Sequence, residues 1–211
     1  MPEIPPQTQL VIFDCDGVLV DSESIANALM AKALTAQGWP LTGPESVTRF
    51  KGGHMHQVHA ALETHLDRVV SRDWIKEFDA ACRIALSEVK AIDGITDLVA
   101  RVQASGLSIC VASQGPHEKM AVTLKAAGLN KVFANRIFSS VDVDHPKPAP
   151  DLFLHAAKNC GVKPEHCLVI EDSKTGVAAA LAARMKVIYL NAADETLEGV
   201  DTARHPDDIN L

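Results

Sequence analysis

The chain has 211 residues, of which 47% are hydrophobic and only 4% aromatic, a composition that fits an α/β protein better than an all-β one. With 20 Lys and Arg against 27 Asp and Glu, its formal charge is −7. This argues against a nucleic-acid or anionic-membrane partner, since both require a basic surface. The N-terminus lacks the features of a signal peptide, no apolar run is long enough to span a membrane, and the five cysteines lack CxxC spacing, so we expect a cytoplasmic protein without a disulfide framework or zinc site.

The first predicted strand covers residues 10–13 and is followed directly by Asp14, Cys15, Asp16 and Gly17. Alternate side chains of an extended chain share one face, so Asp14 and Asp16 should face one pocket while Cys15 points away. Open α/β sheets bind ligands at this end of their strands. One acid can act as a nucleophile or metal ligand while the other transfers protons. A solvated Asp-rich turn is the simpler alternative.

Residues from about 22 to 88 show helical periodicity in four segments without a convincing strand. We therefore predict a helical domain at 20–89, inserted into an α/β core formed by 1–19 and 90–211. Four histidines lie in this block, at positions 54, 56, 59 and 65. A second metal site is one interpretation of them, and partly exposed helix histidines are the commoner one.

From about residue 93, predicted helices and strands alternate strictly. The helices are 94–105, 116–128, 150–161 and 173–184, and the strands are 107–112, 136–139, 167–170 and 187–190. This alternation is typical of right-handed βαβ units, which form a parallel sheet with helices on both faces.

Polar residues follow three of these later strands. Ser113 and Gln114 precede a helix, where backbone N–H groups can bind an anion, although Ser113 can equally cap that helix. Lys147 lies between two prolines that restrict its segment, although a surface lysine in a turn remains open. Glu171 and Asp172 follow the next strand and favour a Mg²⁺ site over helix capping.

In this order, the four motifs resemble those of the haloacid dehalogenase superfamily of phosphotransferases, over nearly the whole chain. The matching residues are Asp14-x-Asp16-Gly17-x-x-x-Asp21-Ser22, Ser113, Lys147 in a Lys-Pro-x-Pro-Asp setting, and Glu171-Asp172. The sequence is similar to the branch that contains β-phosphoglucomutase and sugar-phosphate phosphatases. The resemblance implies a Rossmann-like parallel-sheet core with an inserted small helical cap.

The resemblance also implies a Mg²⁺-dependent phosphatase that hydrolyses a small phosphorylated metabolite, a sugar or sugar-acid phosphate. Asp14 would attack the phosphorus and form an aspartyl-phosphate. Asp16 would protonate the leaving oxygen and then take a proton from the attacking water. The implied metal ligands are Asp14, the backbone carbonyl of Asp16, and Asp172, with Glu171 as a direct or supporting ligand. The implied phosphate-binding residues are Ser113, Gln114 and Lys147.

The loop at residues 49–53 resembles the specificity loop of this branch, and Lys51 is favoured over Arg49 to contact a remote anionic group of the substrate. β-Phosphoglucomutases place an arginine shortly after this loop, and residues 53–56 contain none. Hydrolysis is therefore favoured over the alternative of a phosphosugar mutase. A non-catalytic module that binds a phosphorylated metabolite is a further alternative. We expect a monomer.

Overall fold

The computed structural model describes residues 1–50, 55–191, 193 and 195–211, and its six strands pair in parallel in one sheet. The strands are β1 (Leu10–Phe13), β2 (Ser108–Ser113), β3 (Ile137–Ser139), β4 (Cys167–Glu171), β5 (Lys186–Leu190) and β6 (Asp201–Ala203). Their order is β3-β2-β1-β4-β5-β6. β1 and β4 are central and every residue in them is buried, as expected for parallel strands covered on both faces. The prediction of an α/β fold with a parallel sheet is confirmed.

Eight α-helices lie in the described part of the chain. They are α1 (Ser22–Ala36), α2 (Gly43–Phe50), α3 (Met55–Leu66), α4 (Asp73–Leu86), α5 (Ile95–Ala104), α6 (His117–Ala126), α7 (Asp151–Asn159) and α8 (Lys174–Ala182). None of these helices is long and apolar enough to cross a membrane.

The chain divides into two compact units, each with its own hydrophobic core. One unit contains Met1–Asp21 and Lys90–Leu211, and the other is Ser22–Val89. In the first unit, α7 and α8 pack on the sheet, and α5 and α6 bury further apolar residues against it. The core of the helical unit is formed by Met30, Leu34, Trp39, Val58, Leu62, Val70 and Trp74.

Two details of the sheet differ from the sequence prediction. β2 and β4 each extend one residue further than predicted, so that Ser113 and Glu171 are the last residues of their strands. β6 was not predicted, because three residues of sequence Asp-Thr-Ala carry no apolar run. It pairs in parallel with β5 at the edge of the sheet.

Two leucines of α7 provide a test of where the core of the α/β unit lies. Leu152 is fully buried, whereas 38% of Leu154 is exposed. We expect Leu152→Ala to lower the free energy of unfolding by about 2–5 kcal/mol because it leaves a cavity. Leu154→Ala should change it by less than about 1 kcal/mol. Urea denaturation measures both values, and equal losses would contradict this arrangement of α7.

Candidate active site

A buried lysine connects three strand ends at the carboxyl edge of the sheet. The side chain of Lys147 is only 2% exposed. Its Nζ donates hydrogen bonds to Asp14 Oδ1 (2.5 Å), to Glu171 Oε2 (2.8 Å) and to the carbonyl of Ala112 (3.1 Å). These residues belong to the ends of β1, β4 and β2. Each of the three ammonium hydrogens therefore has an acceptor.

The charge of Lys147 is maintained by its two carboxylate partners. Burial alone would lower the pKa of Lys147, but Asp14 and Glu171 reverse this effect and raise it above its usual value. Burial raises the pKa of Asp14, the charges of Glu171 and Asp172 raise it further, and Lys147 opposes them. The ionised form of Asp14 therefore depends on the cations next to it.

Asp172 adds a third carboxylate to this group. One oxygen each of Asp14, Glu171 and Asp172 lies within 4.8 Å of the others, the one such cluster of potential metal ligands found among the described residues. Oε1 of Glu171 also accepts hydrogen bonds from the backbone N–H (3.1 Å) and the hydroxyl (2.6 Å) of Ser173. Both oxygens of Glu171 are thus engaged by protein groups.

Two glycines allow the backbone to approach these carboxylates. Gly17 has a φ of +84°, which favours glycine, and a Cβ at this position would collide with the carboxylate of Asp172. A Cβ on Gly176, in the first turn of α8, would collide with the carboxylate of Glu171. The first turn of α8 and the turn after β1 therefore require glycine for a steric reason.

Asp16 lies in different surroundings from Asp14. Its two carboxylate oxygens are each 2.8 Å from Nζ of Lys119, a residue of α6 that the sequence analysis did not identify. Cys15, between the two acids, is fully buried, with its Sγ 4.0 Å from Oγ1 of Thr123. A lysine in the first turn of the helix that follows Ser113 is the only sequence signal that could have indicated Lys119.

Asp16 and Ser113 both lie close to Gly115. A Cβ on Gly115 would be 3.5 Å from Asp16 Oδ2 and 3.6 Å from Ser113 Oγ. Ser113 is 1% exposed, and its hydroxyl accepts a hydrogen bond from the backbone N–H of Gly115 at 3.2 Å. The hydroxyl hydrogen can therefore be donated to another group, such as an anion.

Two serines at the end of β3 donate hydrogen bonds to the loop that follows Ser113, and neither was identified from the sequence. Ser139 Oγ donates to the carbonyl of Gly115 at 2.7 Å, and Ser140 Oγ donates to the carbonyl of Gln114 at 2.9 Å. Gln114 itself is exposed. The signal for this support is a pair of serines at the end of β3, the strand that neighbours β2.

Most of the remaining candidates lie in the helical unit. Lys51 and His54 lie outside the described residues. Arg49 has its guanidinium 5.6 Å from the ring centroid of Trp39, and His65 stacks on the same ring at 4.4 Å. His59 accepts a hydrogen bond from Trp74 through Nδ1 at 3.2 Å. These side chains therefore pack with the aromatic residues of the helical unit.

Comparison with known proteins identifies the family of the chain. A family model described as haloacid dehalogenase-like hydrolase matches residues 8–184. The chain belongs to this family. The E. coli protein named 6-phosphogluconate phosphatase is 32% identical over 193 residues, which cover 87% of this chain and 83% of that protein. E. coli hexitol phosphatase A is 30% identical over 200 residues, covering 92% and 89% respectively.

A solved structure supports the same assignment. The haloacid dehalogenase family hydrolase from Deinococcus radiodurans, with bound phosphate and sodium, is 29% identical, has a TM-score of 0.85, and the match covers 97% of this chain and 94% of that one. The predicted family is confirmed, and at the level of the family so is the prediction of a phosphoric monoester hydrolase.

The residues present fit the Mg²⁺ that hydrolases of this family generally use. Carboxylate oxygens are the ligands that Mg²⁺ prefers. The cluster contains three carboxylates and one ammonium, a net charge of 1 − 3 = −2 when all are ionised, which a divalent cation would balance. Because both oxygens of Glu171 accept hydrogen bonds from Lys147 or Ser173, we expect Asp14 and Asp172 rather than Glu171 to be the direct ligands.

Removing the cation of Lys147 tests the electrostatic account of the site. We expect Lys147→Met to lower the free energy of unfolding by about 3–5 kcal/mol at neutral pH, because two buried carboxylates lose their partner. The pKa of Asp14 is raised above 3.8 in the folded protein. Lys147 opposes this rise, so the pKa of Asp14 should lie higher still in Lys147→Met. As the pH falls through that higher pKa, Asp14 takes up a proton in the folded variant, and the loss of stability relative to the original protein should shrink.

Urea denaturation at neutral pH and at about pH 5 measures this effect. The exposed Lys158 of α7 provides the control variant Lys158→Met, whose pH dependence should match that of the original protein. A loss for Lys147→Met that is the same at both pH values would contradict the role of Asp14.

Proposed function

We propose that the protein is a Mg²⁺-dependent phosphatase that hydrolyses a small phosphorylated metabolite through an aspartyl-phosphate on Asp14. The observation that carries this proposal is the contact of buried Lys147 with Asp14 and Glu171, next to the carboxylate of Asp172. This group of side chains would provide a nucleophile, a fixed cation and a set of metal ligands at one point of the sheet edge. A protein that only binds a phosphorylated metabolite has no need of a carboxylate there, since it would repel the phosphate.

In the first step, an oxygen of Asp14 attacks the phosphorus, and the bond between phosphorus and the alcohol oxygen breaks. Lys147 binds Oδ1 of Asp14, so attack through Oδ2 leaves this hydrogen bond in place. Asp16 donates a proton to the leaving oxygen, and the free alcohol departs.

In the second step, water attacks the phosphorus of the aspartyl-phosphate. Asp16, now ionised, takes a proton from this water, and the bond between phosphorus and Asp14 breaks to release inorganic phosphate. Lys147, the Ser113 hydroxyl and the backbone N–H of Gln114 are the donors that would stabilise the phosphoryl oxygens in both steps. Asp14 and Asp16 end the cycle in their initial protonation states.

Asp14, the backbone carbonyl of Asp16 and Asp172 would hold the Mg²⁺, with Glu171 supporting them through Lys147. When bound, the ion neutralises charge on the phosphoryl oxygens and on Asp14.

A sugar or sugar-acid phosphate is the substrate class that we propose. Two relatives of similar length are named for a phosphorylated sugar acid and for hexitol phosphates. The helical unit Ser22–Val89 is proposed as the cap that selects the substrate, with Lys51 as one contact, and the working unit is proposed to be a monomer. The lack of an arginine at residues 53–56 favours hydrolysis over phosphoryl transfer within a bisphosphate.

The role of Asp14 leads to the first functional prediction. With Mg²⁺, the protein should release inorganic phosphate from a hexose phosphate and from 4-nitrophenyl phosphate. Asp14→Asn should lower kcat by about 10³-fold or more on both, because an amide is a poor nucleophile. Asp97→Asn, at an exposed carboxylate of α5, is the matched control and should leave kcat unchanged. Conversion of the hexose phosphate to an isomer without free phosphate would instead indicate a mutase.

The role of Asp172 leads to a prediction on metal binding itself. Mg²⁺ at 100 times its Kd should stabilise the original protein by about 2.7 kcal/mol, which thermal unfolding detects as a rise in Tm. Asp172→Asn should lose most of this rise, because it removes a negatively charged ligand, whereas Asp97→Asn should retain it. An unchanged Mg²⁺-dependent rise in Asp172→Asn would place the metal elsewhere.

A further inference from the structure

The chain provides a second lysine at the site, and it binds the other catalytic acid. Nζ of Lys119 lies 2.8 Å from both Oδ1 and Oδ2 of Asp16. The side chains are 33% and 21% exposed, whereas those of Lys147 and Asp14 are 2% and 8% exposed. Two acids two residues apart thus have separate cations from separate elements.

The position of Lys119 follows from the packing of α6 against the turn after β1. Lys119 and Thr123 are four residues apart and so lie on one face of the helix. Lys119 contacts Asp16, and Thr123 approaches Cys15 at 4.0 Å. Gly115, in the loop before α6, brings the backbone close to both members of the pair, since a Cβ there would be 3.5 Å from Asp16 Oδ2 and 3.6 Å from Lys119 Cδ.

We propose that Lys119 is a positioning residue that fixes the carboxylate of Asp16 for proton transfer to the leaving oxygen. This inference rests on the proposed phosphatase function. Because Nζ of Lys119 lies 2.8 Å from both carboxylate oxygens, it fixes the place and direction of the carboxylate, which would otherwise be able to change rotamer. Proton transfer depends steeply on this geometry, and a displacement of about 1 Å can cost about 10²-fold in rate.

A purely structural role is the competing explanation for this pair. Ion pairs that remain partly exposed contribute little to stability, because water screens them. The pair also involves the residue that resemblance and geometry assign to acid–base chemistry, and it joins that residue to the helix that follows Ser113. Fixing a reactive group explains the position of Lys119 better than stabilising the fold does.

The leaving group distinguishes the two explanations. A 4-nitrophenolate departs without a proton, whereas the alkoxide of a sugar phosphate needs one. Values of kcat/KM report only the steps up to departure of the alcohol. Lys119→Met should therefore lower kcat/KM by about 10–100-fold for a hexose phosphate and by less than about threefold for 4-nitrophenyl phosphate.

Three further variants complete the experiment. Lys119→Arg keeps a cation with paired donors and should recover most of the loss, and Lys119→Gln is a second neutral variant in case the methionine disturbs folding. Lys125→Met, at an exposed lysine of the same helix, should behave like the original protein. In an Asp16→Asn background, Lys119→Met should cause no further loss, because its target is gone.

Equal losses on both substrates, an undiminished loss in the Asp16→Asn background, or no loss on the hexose phosphate would each overturn the role of Lys119. These outcomes differ from failure of the proposed function. If the original protein is active and Asp14→Asn is inactive, only the inference on Lys119 fails. If the original protein releases no phosphate with Mg²⁺, both are overturned.

Discussion

The rest of the site depends on the hydrogen bonds and ion pairs that the ammonium of Lys147 makes. A charge buried alone is costly, and so is each of the carboxylates that face it. The three hydrogen bonds from Nζ compensate these costs together and join the ends of β1, β2 and β4. The same ammonium therefore joins the three strand ends and fixes the position of Asp14, the proposed nucleophile.

Lys147 does not balance all of the negative charge at the site. One ammonium balances only one of the carboxylates of Asp14, Glu171 and Asp172, and burial and neighbouring charge raise the pKa of Asp14. A divalent cation would balance the remaining negative charge. The net charge of −7 does not conflict with the proposed phosphate chemistry, because Lys147 lies in a buried site, where its charge is screened only weakly.

The sequence predicted the parts of the site that follow apolar strands. Asp14, Ser113 and Glu171 stand next to runs whose pattern is unambiguous, and the carboxyl ends of parallel strands meet at one edge. Lys119, Ser139 and β6 were missed for physical reasons. The local sequence around a helical lysine such as Lys119, or a serine at a strand end such as Ser139, does not show whether the side chain faces water or a partner distant in the chain. β6 has no apolar pattern, since its pairing rests on the backbone of β5.

The fold gives the two acids after β1 different surroundings, which match the two roles proposed for them. Asp14 is buried beside the buried cation of Lys147, which holds one of its oxygens. Asp16 is more exposed, as is its partner Lys119. In the proposed mechanism Asp16 exchanges a proton with substrate and water, which this access would allow. Cys15 lies between the two acids in the sequence, and its side chain is buried beside Thr123. The two carboxylates that flank it bind different lysines.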